Sequence, residues 1–218
     1  MIVTLDGPAG AGKSTTARAL AARLGWCYMD TGAMYRAVAF VAIQRGISLK
    51  DYGALAHLAS SMTFEFCDGC VMVDGRDVSN EIRSDYVTQA TRSVADAALV
   101  RDAMKRLQRN IAHALVDVVT EGRDQGSVVF PQAAIKVYLT ASPHERARRR
   151  YEEHVAQGKN ISLDDVLVSQ LQRDEGDRTR DIGAMKPADD AVIVNTDGLS
   201  CEAVVDRLVS MVKLRQKV

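Results

Sequence analysis

The chain has 218 residues, is 47% hydrophobic and carries 28 acidic and 28 basic residues, so its formal net charge is zero. That composition predicts a globular fold with one sizeable core and excludes disorder, while the balanced charge, with a pI of about 6.9, gives no electrostatic ground for a nucleic-acid or membrane partner. No run of 18 apolar residues is present, and "MIVTLDGPAG" lacks the basic and long apolar parts of a secretion signal, so the cytoplasm is the expected compartment.

In chain order, residues 2–6 ("IVTLD") predict a short buried strand, and "KSTTARALAARLG" a helix stopped by Gly25. "WCYMD" predicts a second strand, and "TGAMYRAVAFVAIQRG" a second helix ending at Gly46, with Thr31 as its N-cap. The order β–α–β–α favours a parallel sheet covered by helices. The middle breaks this alternation. "DYGALAHLASSM" reads as a helix, "MTFEFCDGCVMVDGRDVS" as a hairpin turning at Asp68-Gly69, and "VTQATRSVADAALVRDAMKRLQRNIAHAL" as one or two helices. Of the four cysteines, Cys27, Cys67, Cys70 and Cys201, the pair Cys67 and Cys70 of "CDGC" is read as incidental to the hairpin, because neither a second CxxC nor a nearby histidine pair completes a zinc site. Alternation resumes with the strands "LVDVVTEG", "AIKVYLTAS" and "DAVIVNT", the charged helices "PHERARRRYEEHVAQ" and "SLDDVLVSQLQRDEGDRTRDIG", and a closing helix "SCEAVVDRLVSMVKLRQ". The expected architecture is a three-layer α/β fold with a central parallel sheet and an inserted lobe that carries a β-hairpin.

"GPAGAGKS", residues 7–14, matches GxxxxGK[ST] and lies between a predicted strand and helix, where a phosphate-binding loop must lie. The glycines let successive N–H groups of Gly7, Pro8, Ala9, Gly10, Ala11 and Gly12 curl around phosphate oxygens, proline contributing backbone shape only. Lys13 reaches the β- and γ-phosphates, the Ser14 hydroxyl is a candidate Mg²⁺ ligand, and Thr15 continues the cradle. The motif therefore predicts ATP with Mg²⁺. No NKxD stretch supports a GTPase, and Asp117 falls inside its strand instead of at the end where a metal-binding acid would stand.

An acceptor phosphate needs fixed, planar cations, which arginine provides. "DTGAMYR" (30–36) puts Thr31 and Arg36 at a strand's carboxyl end, where open α/β sheets bind ligands. "EGRDQGSVVF" puts Arg123 and Asp124 at another such end. In "RDEGDRTRD", Arg173, Asp177 and Arg180 recur at i, i+4 and i+7 and are expected on one helical stripe. Arg146, Arg149 and Arg150 share a face at i, i+3 and i+4 and are expected in a closing lid, with Gly158 in its flexible return.

The ordered set "DGPAGAGKST", "DTGAMYRA", "VDGRDVSNEIR", "EGRDQGSVVFP" and "RDEGDRTR" resembles the bacterial cytidylate kinases, the CMP/dCMP kinase family, along nearly the whole chain. The resemblance implies one nucleoside monophosphate kinase domain, with a core of about residues 1–35, 110–148 and 165–218, an acceptor-binding lobe of about 36–109 and a lid of about 149–164. It implies transfer of the ATP γ-phosphoryl group to CMP or dCMP. Arg36 and Arg123 would hold the acceptor phosphate, Asp124 and Arg101 would read the cytosine edge, Arg173 and Asp177 would contact the ribose, and Thr31 would lie near the nucleotide. Lys13, Arg123, Arg180 and Arg149, with Arg150 beside them, would surround the transferring phosphoryl. Arg92 stands where the family often has a base-contacting serine, with Ser93 next to it. The other readings are a small P-loop kinase acting on AMP, UMP or a non-nucleotide such as shikimate, and an ATP-binding module without turnover. A monomer acting on small molecules, with no nucleic acid and no membrane, is the expectation.

Overall fold

A computed structural model describes residues 1–67 and 70–216. The first strand, β1 (Ile2–Asp6), leads through the glycine loop into α1 (Lys13–Leu24); β2 (Cys27–Asp30) and α2 (Thr31–Gln44) follow. The inserted region comprises α3 (Tyr52–Ser61), β3 (Phe64–Cys67), β4 (Cys70–Val73), β5 (Arg76–Asp77), α4 (Asp85–Asp96) and α5 (Ala98–Ala114). The chain then returns through β6 (Val118–Glu121), β7 (Ile135–Thr140), α6 (Pro143–Ala156), α7 (Leu163–Thr179), β8 (Val192–Asn195) and α8 (Cys201–Gln216).

Among the described residues, β2, β6, β1, β7 and β8 form a five-stranded sheet in that order, and each neighbouring pair is parallel. The register aligns Leu5 and Asp30 with Glu121, so β1, β2 and β6 end side by side. β1 and β6 are buried on both faces because helices cover both sides, as parallel strands require. On one side, Leu5, Leu20, Val119, Leu139, Val205 and Leu208 pack between the sheet and α1 and α8. On the other, Met29, Met34, Val38, Leu55, Val100 and Met104 join the sheet to α2, α3 and α5. The inserted lobe thus shares a core with the sheet.

Local chemistry sets the helix ends. Gly25 stops α1 in the left-handed conformation at φ 69°. Ser142 caps α6, with Pro143 at its first position, and Ser162 caps α7. The cap of α2 is Asp30, whose carboxylate accepts the Ala33 N–H at 2.7 Å; Thr31, expected in that role, is inside the helix. The hairpin is extended by β5, which the sequence did not signal, and β3, β4 and β5 make an antiparallel sheet. The expected turn at Asp68-Gly69 lies outside the described residues. The region 85–114 is two helices, separated at Ala97. Asp117 precedes β6 and binds the Met1 amino group at 2.5 Å, so the acid at the strand's end is Glu121. No helix of the described residues is long and apolar enough to cross a membrane.

Leu5 is fully buried in the central strand. Leu5→Ala should destabilise the fold by about 2–5 kcal/mol, read from the midpoint of chemical denaturation at unchanged slope.

Candidate active site

The loop between β1 and α1 holds Gly7, Gly10 and Gly12 at φ 138°, 78° and 86°, a curl that side chains oppose. At Gly7 the fit is closest, because a Cβ would overlap the Leu139 carbonyl of β7. Ala9 is held from both sides: Arg146 Nη1 donates to its carbonyl at 2.9 Å, and its N–H donates to Asp174 Oδ1 at 3.3 Å. Arg146 and Asp174 are buried and paired at 2.5 Å. Arg146 is therefore a buried buttress of the glycine loop, and of the three arginines that the spacing put on one face only Arg149 shares that side of α6 with it. Arg150 points to solvent beside Glu153. Arg149 turns to Glu145 and to Thr196, whose hydroxyl and carbonyl it reaches at 3.0 and 2.7 Å. Its Nη1 lies near Gly12, which places this cation at the loop.

Lys13 begins α1 and is buried, and its Nζ donates to the Pro8 carbonyl at 2.8 Å. Burial first, then the like charge of Arg123, lowers its pKa to about 7. An ammonium in that position is short of negative charge. Ser14 Oγ donates to Glu121 Oε1 at 2.6 Å, and the Tyr28 hydroxyl reaches the same oxygen at 3.1 Å. Ser14 and Glu121 together offer hard oxygen donors at the end of β6, which suits a small divalent cation such as Mg²⁺. Thr15 is exposed in the first turn of α1.

The second group of residues stands across the same strand ends. Thr31 Oγ1 donates to the Glu121 carbonyl at 2.7 Å. One turn along α2, Arg36 Nη2 lies 3.4 Å from Asp30, while its Nε is shielded from solvent with no hydrogen-bond partner. Arg123 Nε binds Asp177 Oδ2 at 2.8 Å, and Arg180 Nη2 binds Asp177 Oδ1 at 2.8 Å. Asp177 is thus shared by two arginines, and despite its burial their charges hold it below the usual carboxylate range. Arg180 caps α7, one residue beyond the helix, so it does not continue the stripe of Arg173 and Asp177; its Nε reaches Asp96 of α4 at 2.8 Å. Arg173 is at the exposed rim of the cluster. Surrounding protein first, then the like charge of Arg123, lowers it to about 10, with Arg92 and Arg36 adding to the effect.

Beneath these arginines, Arg101 Nη2 and Asp124 Oδ2 form a short buried ion pair. Arg101 Nη1 also donates to the Ala95 carbonyl at 3.2 Å, its guanidinium lies over the Tyr35 ring at 5.7 Å, and its Nε has no partner. Arg92 and Ser93 are exposed on α4. Thr31, Arg36, Arg123 and Asp124 thus stand at or just past the carboxyl ends of β2 and β6, Asp177 and Arg180 bond to this group through Arg123, Arg101 bonds to it through Asp124, and Arg149 lies beside the glycine loop, whereas Arg150, Arg92, Ser93 and Thr15 are exposed. Sequence reasoning missed Glu121, Asp6, Asp174 and the buttress role of Arg146. Glu121 had a signal, as the last acid of an apolar strand.

A family model described as Cytidylate kinase matches residues 3–214. The chain belongs to the cytidylate kinase family. Relatives named Cytidylate kinase include one from Rhodopirellula baltica, 45% identical over 213 residues, covering 98% of this chain and 93% of that protein. Another, from Geobacter sulfurreducens, is 43% identical over 221 residues and covers 100% of this chain and 94% of its own length. A third, from Carboxydothermus hydrogenoformans, is 42% identical and covers 97% of each. Among solved structures, TT1252 from Thermus thermophilus is similar in fold, with a TM-score of 0.52 at 18% identity over 98% of this chain and 96% of that one. An uncharacterized protein from Eubacterium ventriosum reaches a TM-score of 0.55 at 8% identity over 98% of both chains. The cytidylate kinase assignment thus rests on sequence, and the structural likeness supports the fold.

Gly7→Ala places a methyl against the Leu139 carbonyl. Nucleoside triphosphate affinity should fall at least tenfold in equilibrium titration while the far-ultraviolet spectrum of the fold is kept.

Proposed function

We propose that this protein transfers the γ-phosphoryl group of ATP to CMP or dCMP, giving ADP with CDP or dCDP. The observation that carries the reading is the crowding of cations between the glycine loop and the acceptor side. Lys13 and Arg173 are lowered first by desolvation and then by the like charge of Arg123, and a polyanion placed among these cations offsets both effects.

The loop N–H groups and the N-terminus of α1 hold the β- and γ-phosphates, and Lys13 exchanges the Pro8 carbonyl for a phosphate oxygen. Ser14 and Glu121 would hold Mg²⁺, which when bound supplies charge neutralisation at the transferring group. Arg36 and Arg123 grip the acceptor phosphate, with Thr31 beside them. Arg36 Nε, shielded and unpartnered, is a donor available for that phosphate. Asp124 accepts from the exocyclic amine of cytosine while Arg101 donates to the ring; uracil would present a carbonyl to the carboxylate. Arg173 and Asp177 contact the ribose. Arg180 and Arg149 cover the phosphoryl group. The acceptor oxygen is already ionised, so positioning and charge stabilisation do the work and no strong general base is required.

In this reading α3 to α5 with the small sheet form the acceptor lobe, and the residues around the α6–α7 connection close over the site. Lys159 in that connection binds Asp85 of α4 at 2.8 Å, so the closing segment meets the acceptor lobe through an ion pair, and Arg180, beyond the other end of α7, binds Asp96 of the same α4 helix. The substrates are nucleotides, and the cytoplasm, where they are made and used, is the compartment.

The test is ADP release with ATP·Mg²⁺ and each of CMP, dCMP, UMP, AMP and GMP. Fast release with CMP and dCMP, slow release with UMP and almost none with the purines is expected; no release with any monophosphate would remove the reading. Arg36→Ala should lower kcat/KM for CMP at least a hundredfold with ATP affinity kept, whereas near-parental turnover would show that Arg36 does not hold the acceptor.

A further inference from the structure

The loop that carries Arg123 and Asp124 has no regular strand or helix before Gln125, and it must nevertheless aim two side chains in fixed directions. Its backbone is tied to β1 on both sides of that pair: before it, the Gly122 N–H donates to the Leu5 carbonyl at 3.0 Å, and after it the contact is made by a carboxylate. Asp6, the last residue of β1 and the neighbour of the glycine loop, accepts the Gln125 N–H at 2.8 Å with Oδ1 and the Gly126 N–H at 2.7 Å with Oδ2. The carboxylate is 3% exposed. Both of its oxygens therefore serve the loop, and Lys13 Nζ is bonded elsewhere, to Pro8.

The surroundings are built for this contact. A Cβ at Gly126 would lie 2.8 Å from Thr4 Oγ1 and 3.2 Å from Lys136 Cγ, so only glycine lets the loop come down onto β1. The Gln125 side chain is fixed by Thr120 Oγ1 at 3.0 Å and by Gln108 Oε1 at 3.2 Å. Burial pushes the Asp6 carboxyl up to about 6, opposed first by the two N–H bonds, so the charge is held where it is by those donors.

We infer that Asp6 is a positioning residue for acceptor recognition: by fixing the N–H groups of Gln125 and Gly126 it sets the direction in which Arg123 and Asp124 leave the backbone, and it couples that loop to the end of the strand that starts the phosphate loop. The inference rests on the reading of Arg123 as phosphate-binding and Asp124 as base-reading. It assigns no direct substrate contact to Asp6. Two buried N–H bonds to a carboxylate are strong enough to hold a short loop segment in one orientation, and recognition of a planar base edge tolerates little misalignment.

Asp6→Asn keeps the size but turns one oxygen into a donor, which faces an N–H. The expected result is a KM for CMP raised at least tenfold and a CMP-to-UMP preference reduced at least fivefold, with the KM for ATP within threefold of the parent. A purely structural role would lower the melting temperature and the active fraction without that split. Asp6→Glu retains both acceptors but displaces them by one methylene; it should show the same split and serves if the asparagine variant does not fold. A folded variant whose CMP KM and CMP-to-UMP ratio stay within twofold of the parent overturns the inference, as does an equal rise in both KM values. Asp124→Asn is measured in parallel. If it leaves the CMP-to-UMP ratio unchanged, the base-reading assignment fails, and Asp6 is then judged on the CMP KM, which Arg123 governs.

Discussion

A buried carboxylate is stable only when donors take up its oxygens, and three adjacent parallel strands of this fold each end in one. Asp6 ends β1 and holds the loop after β6. Asp30 ends β2, caps α2 and lies against Arg36. Glu121 ends β6 and takes the Ser14 and Tyr28 hydroxyls. The in-register pairing of these strands sets Asp30 beside Glu121, with Asp6 one residue beyond Leu5, the partner of Glu121 on β1. Each acid fixes a different piece of the site: one the acceptor loop, one the helix with the phosphate arginine, one the hydroxyl at the start of α1. The sheet register is therefore the frame on which the chemistry is hung, and the helices on both faces keep that frame dry.

The arginines stand outside this frame and are controlled by sharing. Asp177 holds Arg123 and Arg180 at once, Asp124 holds Arg101, and Asp174 holds Arg146. Arg36, Arg173 and Lys13 are left less fully balanced. In the proposed reading these are the cations that two phosphate groups would neutralise.

What could be read from the sequence follows how local the signal is. The glycine loop needs eight consecutive residues and a strand before it, so Gly7, Lys13 and Ser14 were legible without a fold. The parallel sheet followed from strand and helix alternation. Arg36, Arg123 and Asp124 were legible as rim residues because strand ends are where such sheets bind ligands. Asp6 and Glu121 were not, since their role depends on which strands are neighbours, and a strand order of β2, β6, β1 is invisible in a linear reading. Arg146 was misplaced for a related reason. Helical spacing says which residues share a face, but not that the packing of α6 on α7 turns one of them inward to Asp174. The two-residue β5 is too short to leave a period, and Arg180 fell just past a helix end that charge patterning did not mark.

The ion pairs that join α4 to the segments around α7 have a consequence for turnover. Arg180 is already satisfied by Asp96 and Asp177 before any nucleotide is present. A phosphate that recruits it replaces a carboxylate, so binding is an exchange of partners between two anions of similar appeal. Such an exchange yields only the difference between them. In the proposed reaction that exchange would keep the products from being held too tightly and would return Arg180 to its internal carboxylates as they leave, so that this arginine is not presented as a bare cation to other phosphates.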